Sequence, residues 1–298
     1  RKVDFLAQFL KNNHGIEKGT SVAIILDNTP YWPLSYLALM ANGAIAVPLY
    51  HLLKAPELTH LLHHSQAKLL ITSSNLLTTL KGALKDQTVP VLTIDSLEEL
   101  APGYEPRTTP FQPPEISPDD IASIVYTSGT TSLPKGVMLS HRNFLSNIES
   151  FKKLKLVDSS DCFICMLPLY HTYPFTVTML LPLLTGAKIS FPANINFEEI
   201  SVCMQQTNVT ILLGVPRLFT SFYETITYTL SHLPPLKRLL LSLALACHKP
   251  CQRLFGINLA SKALVDLHKK FGSKLRLMIS GSAALEPKVS RAFSFWGF

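Results

Sequence analysis

Apolar runs of the length needed to cross a bilayer as a helix, roughly 18 residues or more, are absent from this sequence. The opening residues do not read as a secretory leader. The opening RKVDFLAQFLKNNHGI has no initiator methionine and already shows helical amphipathic spacing, with Val3, Leu6, Phe9 and Leu10 on one face. Charge is scarce, at 16% of residues, and the excess of 27 Lys and Arg over 20 Asp and Glu is spread out, with no basic arm or Arg-rich run. That argues against nucleic acid as a partner, whereas a diffuse positive field suits anionic small molecules or an anionic lipid surface. The five cysteines, an odd count in 298 residues, exclude a disulfide framework and point to a reducing, cytoplasmic setting. Cys162 and Cys165 have C-x-x-C spacing, but no second ligand pair lies nearby in sequence. Their run, DCFICMLPLY, reads as a buried strand, so they are expected to be core residues and not metal ligands.

What is present is an alternation. From Ser21 to Phe191 the runs SVAIIL, AIAVPL, AKLLIT, VPVLTI, ASIVYT, CFICML and AKISF are separated by helical patterns such as YWPLSYLALMANG. That order predicts an α/β protein with mostly parallel sheets covered on both faces. Six prolines between Pro102 and Pro118 exclude regular helix or ladder there. Beyond Asn194 the pattern resumes with a helix over FEEISVCMQQTNV, the strand TILLGV, a helix from Pro216, a long helical tract from Leu236 to about Phe271 and the strand LRLMIS. Within that tract LKRLLLSLALACHK is apolar between basic flanks, Lys237, Arg238, Lys249 and Arg253, so it reads as a core helix or as a segment lying on an anionic membrane surface. His60, His63 and His64 have the helical spacing of a metal site without a nearby carboxylate and are expected to be exposed polar positions.

The chemistry-bearing stretch is YTSGTTSLPKGVMLSH, Tyr126 to His141. It follows a strand, so it sits at the carboxyl edge where open α/β sheets bind ligands. Thr127, Ser128, Thr130, Thr131 and Ser132 offer hydroxyls, Gly129 and Gly136 allow close backbone approach, and Lys135 adds positive charge. Together these groups can wrap phosphate oxygens. A Walker A loop is excluded, because Lys135 precedes Gly136 and a strand-like run follows where that motif requires a helix. Ser140 is placed to cap a helix starting at His141.

This stretch resembles the signature loop of the acyl-adenylate-forming superfamily, Y-T-S-G-T-T-G-x-P-K-G, departing at Ser132, where the family usually has glycine. Three further segments match in order. LPLYHTYPF resembles the motif ending in an aromatic and a histidine near the acid-binding pocket, GVPRLFTSFYETI resembles the V-P-R-x-F segment of long-chain acyl-CoA synthetases, and ISGSAALEP resembles the S-G-G-A-P-L adenine loop. The helical tract after Tyr228 resembles the insertion of long-chain acyl-CoA and acyl-carrier-protein synthetases.

The resemblance implies two stacked αβαβα subdomains, with about 1–50 plus 197–298 in one and about 51–196 in the other, and no C-terminal lid in this chain. It implies that Thr127, Ser128, Gly129, Thr130, Thr131, Ser132 and Lys135 hold the ATP phosphates, with Thr127, Lys135 and His171 acting in catalysis. Gly281, Ser282, Ala283 and Ala284 would line adenine, and Tyr170, His171, Gly214, Val215 and Pro216 the acyl pocket. The implied cofactors are ATP, Mg²⁺ and a thiol acceptor, either CoA or the phosphopantetheine of acyl carrier protein. The implied activity is conversion of a long-chain fatty acid to acyl-CoA by an AMP-forming acid–thiol ligase. Acyl transfer to the carrier protein, or a non-catalytic nucleotide- or lipid-binding remnant, are the alternatives. Because both ends read as interrupted, these residues alone are expected to be nearly inactive. The expected location is cytoplasmic, with peripheral contact at the inner membrane surface.

Overall fold

The computed structural model describes residues 1–85, 88–100, 111–127, 134–239, 241–243 and 263–298. The chain divides into two compact units, Arg1–Leu154 with Pro168–Met179, and Lys155–Leu167 with Leu180–Phe298. Each is built on its own sheet.

The first unit holds six strands in the order β4-β3-β1-β2-β5-β6: β1 (Ser21–Ile25), β2 (Ile45–Pro48), β3 (Leu69–Thr72), β4 (Val91–Thr93), β5 (Ile121–Thr127) and β6 (Lys135–Ser140). All neighbours are parallel except β5 and β6, which form an antiparallel pair at the edge. The central strands are apolar and buried, as a sheet covered on both faces requires. The connection from β1 to β2 runs through α2 (Tyr31–Ala41), and that from β2 to β3 through α3 (Ala55–His64). These two crossovers travel in opposite directions along the sheet, so right-handedness puts their helices on opposite faces. α1 (Lys2–His14) packs on α2, tied by the Asn42 amide donating to Ala7 O at 2.8 Å. On the other face Leu58, Leu61 and Leu62 of α3 and Leu76 and Leu80 of α4 (Ser74–Leu84) form one core with Ala23, Ile25, Val47 and Leu70.

Here the expected partition is corrected. Residues 21–48 do not group with 197–298: β1 and β2 hydrogen-bond to β3 and β5, in the middle of the first sheet. Ladder bonds between sequence-adjacent βαβ units outweigh any division drawn at residue 50.

The second unit has four parallel strands in the order β10-β9-β7-β8: β7 (Cys162–Ile164), β8 (Lys188–Ser190), β9 (Ile211–Gly214) and β10 (Leu277–Ser280). α5 (Leu97–Leu100) follows β4 and α6 (His141–Lys153) follows β6; after β7 the chain contributes Pro168–Met179 to the first unit as a short helix, α7 (Thr172–Pro174), and the start of a π-helical turn (Phe175–Leu180). It returns through α8 (Leu181–Thr185). α9 (Phe197–Thr207) starts at Asn196, whose Oδ1 accepts from Glu199 N at 2.8 Å, and α10 (Pro216–Ser231) starts on a proline at its first turn. Much of the expected tract from Leu236 to Phe271 lies outside the described residues; its end forms α11 (Val265–Lys270), and α12 (Pro287–Phe295) follows β10. Cys162 and Cys165 are buried core residues, and Cys162 Sγ lies 3.2 Å from Ser190 Oγ. The amino ends of three strands are pinned by one buried carboxylate. Asp161, 1% exposed, receives Arg276 Nε at 2.9 Å, Arg276 Nη2 at 2.5 Å and Thr210 Oγ1 at 2.6 Å. Burial works against its charge, but Arg276, Thr210 and the Asp158 amide outweigh it and hold the carboxyl below its ordinary range.

Candidate functional site

The feet of the hydroxyl-rich loop are well defined. Thr127, the last residue of β5, pairs with Lys135, the first of β6, and Tyr126 pairs with Gly136. Ser128, Gly129, Thr130, Thr131 and Ser132 lie outside the described residues. Both feet are solvent-exposed, and among the described residues Lys135 forms no ion pair, so its charge is available to an anion. Gly136 is required by space: a Cβ there would stand 2.9 Å from Ile124 Cγ2 and 3.4 Å from the Tyr126 ring. Ser140 then caps α6 as its sequence predicts, its hydroxyl accepting from Asn143 N at 3.3 Å while Asn143 Oδ1 accepts from Ser140 N at 2.9 Å.

Pro168–Met179 packs beyond the carboxyl ends of β1 and β2. Leu169 N donates to Asn28 Oδ1 at 3.3 Å, the Tyr170 ring packs on Tyr50 at 5.0 Å between centroids, and the His171 ring lies 4.4 Å from Tyr170. Tyr170, His171, Pro48, Ser123 and Val125 line a small recess with no room for a water molecule, floored by Phe175. Phe175 in turn meets Trp32, Tyr36 and Phe144 edge-on at 4.7 to 5.8 Å. Burial lowers the His171 pKa, so the imidazole is neutral at neutral pH; burial, then the neighbouring Tyr50, raises that of Tyr170. His171 and Tyr170 therefore offer hydrogen-bonding edges without formal charge. Tyr50 was not identified from the sequence; its signal is its place two residues beyond the parallel strand β2.

In the second unit the carboxyl ends of β9 and β10 bring two further segments together. Ser280 pairs with Gly214, and Gly281 N donates to Gly214 O at 3.0 Å, so Gly214, Val215 and Pro216 lie beside the loop holding Gly281, Ser282, Ala283 and Ala284. Gly214 is fixed by packing, since a Cβ there would stand 2.8 Å from Leu218 Cδ2 and 2.9 Å from Phe219 Cε2. Ser282 is exposed and has φ +72°, a left-handed conformation costly for a residue with a Cβ. Among the described residues no group of three or more His, Cys, Asp or Glu side chains could hold a metal ion. His63 and His64 are exposed as expected, whereas His60 is half-buried, and His64 has a partner, with Nδ1 2.7 Å from the Tyr126 hydroxyl.

Both units are built on mostly parallel α/β sheets whose candidate segments stand at the carboxyl ends of strands, the edge at which open sheets of this class bind ligands. The profile of the AMP-binding enzyme family matches residues 1–297, and the chain belongs to that family. It is 28% identical to fatty acyl-CoA synthetase A of Dictyostelium discoideum over 93% of this chain and 44% of that protein. It is 29% identical to 4-coumarate–CoA ligase 1 of Arabidopsis thaliana over 77% of this chain and 45% of that one. The chain thus spans less than half the length of these relatives. The N-terminal domain of FACL13 from Mycobacterium tuberculosis shares the fold, with a TM-score of 0.72 at 20% identity over 98% of this chain and 64% of that one.

Proposed function

We propose that the protein activates a carboxylic acid with ATP. The acid carboxylate attacks the α-phosphorus, pyrophosphate leaves, and a thiol then displaces AMP from the acyl-adenylate to give a thioester. The observation that carries this reading is family membership over residues 1–297 together with Thr127 and Lys135 paired at the feet of the loop. Two anions must meet, so the protein's part is to neutralise charge and align the reacting oxygens. Lys135, Thr127 and the hydroxyls of Ser128, Thr130, Thr131 and Ser132 with the Gly129 backbone would hold the phosphates, and Gly281 to Ala284 would back the adenine. Neutral His171 with Tyr170 would border the reacting carboxylate, and Gly214, Val215 and Pro216 the acyl group. Mg²⁺ would bring further positive charge to the nucleotide phosphates.

A long-chain fatty acid is the favoured substrate, supported by the names of relatives such as the D. discoideum synthetase; the 4-coumarate ligases among the matches make an aromatic acid the competitor. Pyrophosphate exchange into ATP by the full-length protein, with palmitate and 4-coumarate compared, tests both points: exchange with neither acid overturns the activation reading. CoA is the favoured thiol, and faster AMP release with acyl carrier protein than with CoA would reassign the acceptor.

A peripheral membrane contact has its own support. Leu236, Leu239 and Leu243, at helical spacing beside Lys237 and Arg238, are 70%, 56% and 56% exposed, while Lys249 and Arg253 lie outside the described residues. Among the described residues no helix is long and apolar enough to cross a membrane. Co-sedimentation with anionic but not neutral vesicles is the expected result, and equal recovery with both would remove the electrostatic contact.

A further inference from the structure

We propose that His64 and Tyr126 form a clamp that positions the phosphate loop, a role that rests on the nucleotide-binding reading above. Tyr126 is the last residue but one of β5, directly ahead of Thr127. Its phenol leaves the hairpin and reaches α3, where the hydroxyl lies 2.7 Å from His64 Nδ1 and donates to Leu61 O at 3.4 Å, with the two rings edge to face at 5.7 Å. Both partners are satisfied when His64 Nδ1–H donates to the phenol oxygen and the phenol hydrogen goes to Leu61 O. Burial raises the Tyr126 pKa, which keeps that hydrogen in place.

The anchor is a packed helix, and the strand after the loop lies at the edge of the sheet. Leu58, Leu61 and Leu62 bury α3 against the sheet. By contrast β6 is an edge strand paired with β5 alone, with Val137 42% and Met138 66% exposed. Among the described residues the β5–β6 ladder holds Thr127 to Lys135, so a side-chain tether from Tyr126 to a packed helix limits how far this pair can move. Neither side chain touches the nucleotide in this proposal; they act through the loop as positioning residues.

The test uses the full-length protein with Tyr126→Phe, His64→Ala, the double variant and His64→Gln. Hydrogen–deuterium exchange in peptides spanning residues 127–135 should rise in both single variants while β1 to β3 stay protected. The KM for ATP should rise roughly two- to tenfold, the worth of one net hydrogen bond, with kcat and the melting temperature nearly unchanged. The double variant should be no worse than either single one, and His64→Gln, which keeps a polar end near the phenol, should recover part of the loss. Unchanged loop exchange, or fully additive effects of the two substitutions, overturns the clamp. If loop exchange rises but the wild type shows no acid-dependent ATP chemistry, the clamp stands and the activation reading falls.

Discussion

The two units use the two ends of their sheets differently. In the first, the sheet is held by an apolar core on both faces, and side chains with chemistry gather at the carboxyl edge: Thr127, Lys135, Tyr170, His171 and Tyr50. In the second, the amino edge is pinned by the buried Asp161 with Arg276 and Thr210, and the carboxyl edge presents glycines, small residues and backbone. The difference follows from what each edge can carry. An apolar core tolerates polar groups only at its rim, where water or a ligand satisfies them, so the first unit keeps its polarity there. A buried ion pair fixes strand ends in register but costs desolvation, and the second unit places it at the end of the sheet away from its two candidate loops.

The sharpest way to break that contrast is to orphan Asp161. Arg276→Met leaves a carboxylate 1% exposed with only neutral donors, and chemical denaturation at pH 7 should show a loss of about 3 kcal/mol. The sign of its pH dependence is fixed by the lowered pKa. Wild-type stability from this group is fully present above the ordinary carboxyl value of 3.8 and is lost as pH falls through the lower folded value. The gap between wild type and Arg276→Met should therefore close in acid; a gap that stays constant from pH 7 to pH 3 would mean the ion pair is not its source.

Next in size is the cation on the opposite unit. Lys135→Ala removes an exposed side chain with no ion pair among the described residues, so the melting temperature should hold while kcat/KM for ATP falls roughly 10- to 100-fold, the range for hydrogen bonds to charged groups. A stability loss without a kinetic one would move Lys135 from chemistry to structure. Gly214→Ala sharpens the second unit's part, since the new methyl meets Leu218 and Phe219 within 3 Å. About 1–3 kcal/mol of destabilisation is expected from such overpacking, readable as a lower denaturant midpoint. The smallest effect has the opposite sign. Ser282→Gly relieves a left-handed φ of +72° and should stabilise by about 1 kcal/mol, a gain that a melting curve with an unchanged midpoint would refute.

The sequence alone determined what depends on neighbours along the chain. Parallel strands were legible in buried apolar runs, the Ser140 cap in its place before His141, the start of α10 in Pro216, and the loop's position in the strand that precedes it. Local sterics and hydrogen bonding within a few residues fix these features, so tertiary context had little to overrule. Tertiary structure alone decided which pieces share a core and which side chains meet. It placed residues 21–48 in the first sheet and not with 197–298, and sent Pro168–Met179 to the first unit. It set Tyr50 beside Tyr170, joined His64 to Tyr126 across 62 positions, and joined Asp161 to Arg276 across 115. Hydrophobic burial is non-directional: periodicity says that a face will be buried but not against what, and only the assembled sheet selects the partner.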